Sequence, residues 1–128
     1  MNEPTSVRPD VVLALHERLL AEFGGASGIR DESTLHSAIA RPQQRFHYGE
    51  GDLCDLAAAH AFGIARNHPF VDGNKGTAFA SATVFLRLNG SRLKAAEADA
   101  VVQTLALAAG ALDESGYADW LRANSRRA

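Results

Sequence analysis

The sequence predicts an all-α protein, a bundle of about six helices in one domain spanning residues 1–128. Apolar residues recur at helical spacing along most of the chain, and no stretch carries a convincing strand pattern. Two alanine-rich segments are apolar on nearly every face, as expected of helices surrounded by other helices. With 128 residues, 46% of them hydrophobic, the chain can bury a core of its own without disulfide or metal staples.

The first helix is expected over Pro9 to Phe23, where Val12, Leu15, Leu19 and Phe23 share one face and Gly24-Gly25 stop the run. A shorter helix follows from Asp31 or Glu32 to about Ala40, with an acidic start and Pro42 just beyond its end. Arg41 to Gly51 then reads as a connector, rich in turn residues but carrying Phe46 and Tyr48, which favour packing down or a short hairpin. Leu53–Asn67 and Thr77–Leu88 form the central pair. Pro69 ends the first of these, because its ring removes a donor and biases His68 away from helical geometry, while Asp72-Gly73 supplies a turn. Helices over Ala95–Ala109 and from about Gly116 complete the set, and residues 125–128 read as a frayed basic tail.

The totals narrow the function. Thirteen basic and fifteen acidic residues give a formal charge of −2, so no general basic field gathers polyanions, and direct nucleic-acid binding is disfavoured. One cysteine, Cys54, makes no internal disulfide, the N-terminus lacks a signal-peptide pattern, and no apolar run suits a membrane span. A cytoplasmic protein without membrane contact is expected.

Residues 68–76 read His-Pro-Phe-Val-Asp-Gly-Asn-Lys-Gly and carry most of the functional signal. A helix N-terminus offers free N–H groups and the positive end of a dipole, and Gly73 lets a ligand approach the backbone, so the start of the second central helix is a natural phosphate cradle. Lys75 adds a point charge and Asn74 an amide donor. Asp72 is an oxygen ligand of the kind Mg²⁺ prefers when it also holds nucleotide phosphates. His68 is placed to accept a proton from an attacking hydroxyl, the work for which imidazole is suited near neutral pH. Pro69 and Phe70 read as a rigid corner and an apolar wedge. The same letters also suit a plain surface turn with Asp and Asn as caps. His60, two turns earlier, reads as a packed core histidine, and Arg66 as either a phosphate contact or an exposed helix-end cation.

The loop resembles the motif of the Fic/Doc family, His-x-Phe-x-Asp/Glu-Gly/Ala-Asn-Gly/Lys-Arg. Asn67–Ala78 (NHPFVDGNKGTA), the lead-in from Leu56 to Gly63 and the trailing Val84–Gly90 are similar to the Doc branch, as is the upstream stretch Leu35–Gln43, so the likeness covers most of the chain. The resemblance implies a Fic-type helical fold whose loop binds ATP and Mg²⁺. In family terms His68 is the base toward a protein hydroxyl, Asp72 the metal-associated acid, and Asn74, with Gly73, Lys75 and Gly76, a phosphate contact. Lys75 marks the kinase branch, since most members carry glycine there and transfer AMP. The resemblance further implies a toxin of a toxin–antitoxin pair that phosphorylates a threonine of elongation factor Tu and arrests translation. Its expected partner is a Phd-like antitoxin bound as a helix in a surface groove. Segment 41–51, with Arg41, Gln44, Phe46 and Tyr48, corresponds to the family's target-positioning flap. AMP transfer and a catalytically inactive antitoxin-binding module are the alternatives.

Gly76 departs from the pattern, which has arginine. An arginine clamps phosphate oxygens with a planar fork, whereas glycine offers only its N–H. The loss is expected to cost on the order of 10²–10³-fold in rate or more.

Overall fold

Six helices and a two-stranded ribbon make up the computed structural model, which describes residues 2–49 and 51–128. The all-α expectation holds. Four helix starts are explained by residues that deal with the first unpaired N–H groups. α1 (Pro9–Phe23) begins on proline, which lacks one of those donors. Asp31 caps α2 (Glu32–His47), Asp52 and Asp55 form a reciprocal capping box on α3 (Leu53–Asn67), and Asp113 caps α6 (Glu114–Ala123). α4 (Asn74–Leu88) starts on Gly73 and α5 (Glu97–Ala109) on Ala96, neither with a side-chain cap.

α3 is the axis of the fold. Ala57, Ala58, Ala59, Ala61 and Ala65 are all fully buried along it, and their small side chains let α2, α4, α5 and α6 pack around it. α1 lies against α4, which brings the C-terminal half of α1 beside the start of α4.

Two expectations are corrected. The connector predicted from Arg41 onward is helical as far as His47, so α2 runs straight through Pro42; Glu50, in the same segment, lies outside the described residues. An interior proline costs roughly 3 kcal/mol, because the carbonyl one turn earlier loses its N–H and meets the ring. Here that carbonyl, Ala38 O, accepts instead from Nδ1–H of the buried His60 at 3.0 Å, while Arg41 Nε donates to Ala59 O at 2.8 Å. α3 thus supplies from outside what the proline takes away. The second correction concerns the C-terminus. β1 (Ser91–Leu93) pairs antiparallel with β2 (Ser125–Arg127), Arg92 opposite Arg126, and Ala128 N donates to Gly90 O at 2.9 Å. Residues 125–128 are therefore held against the bundle rather than frayed, in strands too short to leave an alternating pattern.

Candidate functional site

The chain leaves α3 at His68, whose backbone (φ 51°, ψ 62°) is left-handed, and no other non-glycine residue described has a positive φ. That conformation costs an L-residue about 1–2 kcal/mol. Pro69 and Phe70 are fully buried, as the wedge reading requires. Asn74 closes the loop on itself: its Oδ1 accepts from Phe70 N and its Nδ2 donates to Phe70 O, both at 2.9 Å. The amide expected to face a phosphate is thus engaged with the loop through Oδ1 and one of its two Nδ2 hydrogens, which leaves the second of these and the main-chain N–H.

Two distant segments hold this loop. On α1, His16 donates from Nε2 to Asp72 O at 2.7 Å, and its ring lies parallel to Phe70 with centroids 3.8 Å apart. Between α1 and α2, an extended stretch runs beside residues 68–72. Val71 N donates to Gly28 O at 3.1 Å, and the N–H groups of Arg30 and Asp31 both reach Pro69 O. The Arg30 guanidinium donates to His68 O and Asn67 O, each at 2.6 Å. The Asp72 carboxylate accepts from Gly73 N at 2.8 Å and from Ala26 N at 3.4 Å. Glycine is needed at position 25, since a Cβ there would stand 2.9 Å from Asp72 Oδ2. Sequence reading found neither His16 nor Arg30. Their partners are main-chain carbonyls, which leave no complementary residue to notice.

A polar cavity of about 230 Å³ opens over this loop, lined by His68, Val71, Asp72, Gly73, Asn74, Lys75 and Gly76. Every loop residue proposed from sequence for catalysis or phosphate binding borders it, and Arg66 does not. The N–H groups of Asn74, Lys75 and Gly76 carry no hydrogen bond among the described residues, so three donors at the positive end of α4 face an anion-sized space. His68, Asp72 and Lys75 are exposed at its rim. The described residues hold no cluster of three or more acidic, histidine or cysteine ligands. A cation held at Asp72 would have to draw most of its ligands from water and a phosphate chain, as Mg²⁺ does with nucleotides. The cavity is smaller than the roughly 300–1,000 Å³ that encloses a whole drug-sized ligand, and suits the phosphate end of a nucleotide.

At Gly76, an added Cβ would meet only Leu19 Cδ1, at 3.4 Å, so the position has room for the start of a side chain. Next to it lies an apolar groove of about 620 Å³ between α1, α4 and α5, lined in part by Leu15, Leu19, Phe23, Phe79, Val101 and Leu105. Lys75 and Gly76 border both spaces.

The remaining candidates lie elsewhere. Arg41 sits over the Phe62 ring at 4.9 Å and, with Arg45, pairs with Glu114 of α6, so it braces the bundle. Phe46 packs against the core, while Gln44 and Tyr48 are exposed at the end of α2; none of the four borders the cavity. Arg66 also lies over the Phe62 ring, at 5.5 Å. His60 is the buried core residue expected, and burial pulls its titration below the ordinary imidazole value. Burial likewise pushes the Cys54 thiol up, away from nucleophilic character. No helix among the described residues is long and apolar enough to cross a membrane.

Known proteins resemble this geometry's owner in sequence. The Fic/DOC family pattern matches residues 6–86. Over 117 residues the chain is 36% identical to "Protein kinase doc" of Escherichia phage P1, covering 91% of this chain and 92% of that one. Over 75 residues it is 47% identical to "Toxin Doc" of Mycolicibacterium smegmatis, covering 57% and 58% respectively.

Proposed function

Because the chain belongs to the Fic/DOC family, we propose that it is a Doc-like toxin of a toxin–antitoxin pair, built to transfer phosphate from ATP to a protein hydroxyl. The observation that carries this reading is the cavity in which an exposed imidazole, a carboxylate and three unpaired helix N–H groups meet. ATP with Mg²⁺ supplies the transferable phosphoryl group and offsets its negative charge. The chain's own parts then have distinct work. Main-chain N–H groups of Asn74, Lys75 and Gly76 bind phosphate oxygens, and the Lys75 ammonium adds a charge at the same place. Asp72 orients the cation. His68, at the rim, takes the proton from the incoming hydroxyl as general base. The proposed target is a threonine of elongation factor Tu, and exposed Gln44 and Tyr48 at the end of α2 lie on the surface proposed to steady it.

The antitoxin is proposed to lay an amphipathic helix in the apolar groove, where Phe23, Val101 and Leu105 are substantially exposed. Since groove and cavity share Lys75 and Gly76, such a helix ends up beside the phosphate site. Incubating the Gly76→Arg protein with labelled ATP, Mg²⁺ and folded elongation factor Tu tests the kinase reading. A mass increase of one phosphate on the target is expected; an adenylyl group means AMP transfer instead, and no label at all removes the transferase claim.

Gly76 itself supports a second reading, a binding module that keeps the fold and the groove without catalysis. Nanomolar antitoxin binding by calorimetry, with no transfer from the Gly76 chain even at high enzyme concentration, is the result expected of it.

A further inference from the structure

Three consecutive carbonyls emerge at the end of α3, and one residue takes all three. Arg30 Nε donates to His68 O and Nη2 to Asn67 O, both at 2.6 Å, while Arg30's own N–H donates to Pro69 O at 2.7 Å. The peptide planes on both sides of His68 are thereby fixed, and with them the direction in which its side chain leaves the backbone. Pro69 does not explain that direction. It keeps the preceding residue out of the helix, but the usual alternative is an extended conformation, and His68 is left-handed instead. Something outside the loop selects the rarer state, and a planar guanidinium with two parallel donors matches two adjacent carbonyls better than a point charge does.

We propose that Arg30 is the positioning residue for His68, aiming its imidazole over the phosphate cavity. Its catalytic consequence rests on the reading of His68 as general base given above; its structural consequence does not. Arg30 is exposed, does not border the cavity, and bonds main-chain carbonyls alone among the described residues, so its effect on transfer acts through His68.

Arg30→Met and Arg30→Lys, each in the Gly76→Arg protein, separate this from simple helix capping. The first readout is the set of His68 ring signals in NMR of the labelled chain, assigned by comparison with His68→Gln. One sharp set is expected with Arg30, and a shifted or exchange-broadened set with Arg30→Met. The second is steady-state transfer. A fall in kcat on the order of 10²-fold is expected for Arg30→Met, with KM for ATP changed by less than about twofold. Arg30→Lys should restore the positive charge at the helix end without restoring kcat, because an ammonium cannot hold both carbonyls in the fork's geometry. Unchanged His68 signals in Arg30→Met overturn the proposal, and so does full recovery of kcat by lysine. If the Gly76→Arg protein transfers nothing, the kinase reading fails, while the His68 signals still decide the role of Arg30.

Discussion

The two ends of α3 are built on different principles. At its N-terminus Asp52 accepts from Cys54 N and Asp55 N at 3.0 and 3.1 Å, and Asp55 returns a bond to Asp52 N at 2.9 Å, so three neighbouring residues complete the cap. At its C-terminus the residue that ends the helix is in an unfavourable conformation; Arg30, 38 positions away, fixes it, and His16 holds the loop beyond it through Asp72 O, 56 positions from that partner. An end that only stops a helix can be made locally. An end that must aim a side chain at a ligand needs bonds from elsewhere, because local preference points the chain in another direction. The first end gains about 1 kcal/mol from its cap; the second carries a cost of about 1–2 kcal/mol that the remote bonds offset.

The largest expected effect tests whether the aimed end works as a site. Gly76→Arg should raise phosphoryl transfer by about 10²–10³-fold. It should do so without a matching change in the urea midpoint, since the new Cβ meets only Leu19 Cδ1 at 3.4 Å. In that background His68→Ala should lower transfer by about 10²–10⁴-fold, the usual worth of a general base. Rates for both variants against one target, with chemical denaturation run in parallel, check the pair. An inert Gly76→Arg protein with a normal midpoint contradicts the assignment of position 76.

Midway along α3, His60 extends the comparison, because there too a remote bond replaces a missing local one. His60→Leu should destabilise the protein by about 1–3 kcal/mol, the cost of leaving the buried Ala38 carbonyl unpaired. In Pro42→Ala the backbone regains an N–H for that carbonyl, so the same histidine change should cost about 1 kcal/mol less. A double-mutant cycle by urea denaturation reads this directly; strict additivity breaks the link between the two positions. The titration of His60 is depressed in the fold, so its contribution is present above the unfolded imidazole value of 6.5 and is lost as pH falls below it toward the folded value. His60→Leu should flatten stability over that acidic range.

These contrasts explain what was readable in the sequence. The cavity was legible because its residues are contiguous, and a loop between two apolar helices brings its own side chains together; all of His68, Asp72, Gly73, Asn74, Lys75 and Gly76 border it. The helices were legible from their periodicity, except where a rule about one residue was overridden from another element. Pro42 signalled a helix end, and only the packing of α3 on α2 reveals that His60 compensates it. The bracing work of Asn74 was not legible for a related reason: its amide bonds main-chain atoms of Phe70, four residues earlier, and sequence shows side chains, not the carbonyls they meet. Arg30 and His16 escaped notice on the same ground.

The smallest expected effect lies at the locally built end. Asp52 accepts from Arg122 Nε at 2.8 Å as well as from the capping N–H groups, and the Arg122 guanidinium holds its carboxyl well below the usual carboxylate range. Its side chain is 54% exposed, so solvent screens the ion pair. Asp52→Asn retains a capping oxygen and loses only the charge, and should cost about 0.2–1 kcal/mol at neutral pH. The pH dependence carries the sharper signature. A depressed folded titration means stability that is present above the unfolded value of 3.8 and is lost as pH falls through the lower folded value. Asp52→Asn should therefore match the parent more closely as pH drops below 3.8 than it does at pH 7. Urea midpoints for the two proteins across that range decide the matter, and a gap that widens in acid would show that the carboxylate contributes nothing specific to the cap.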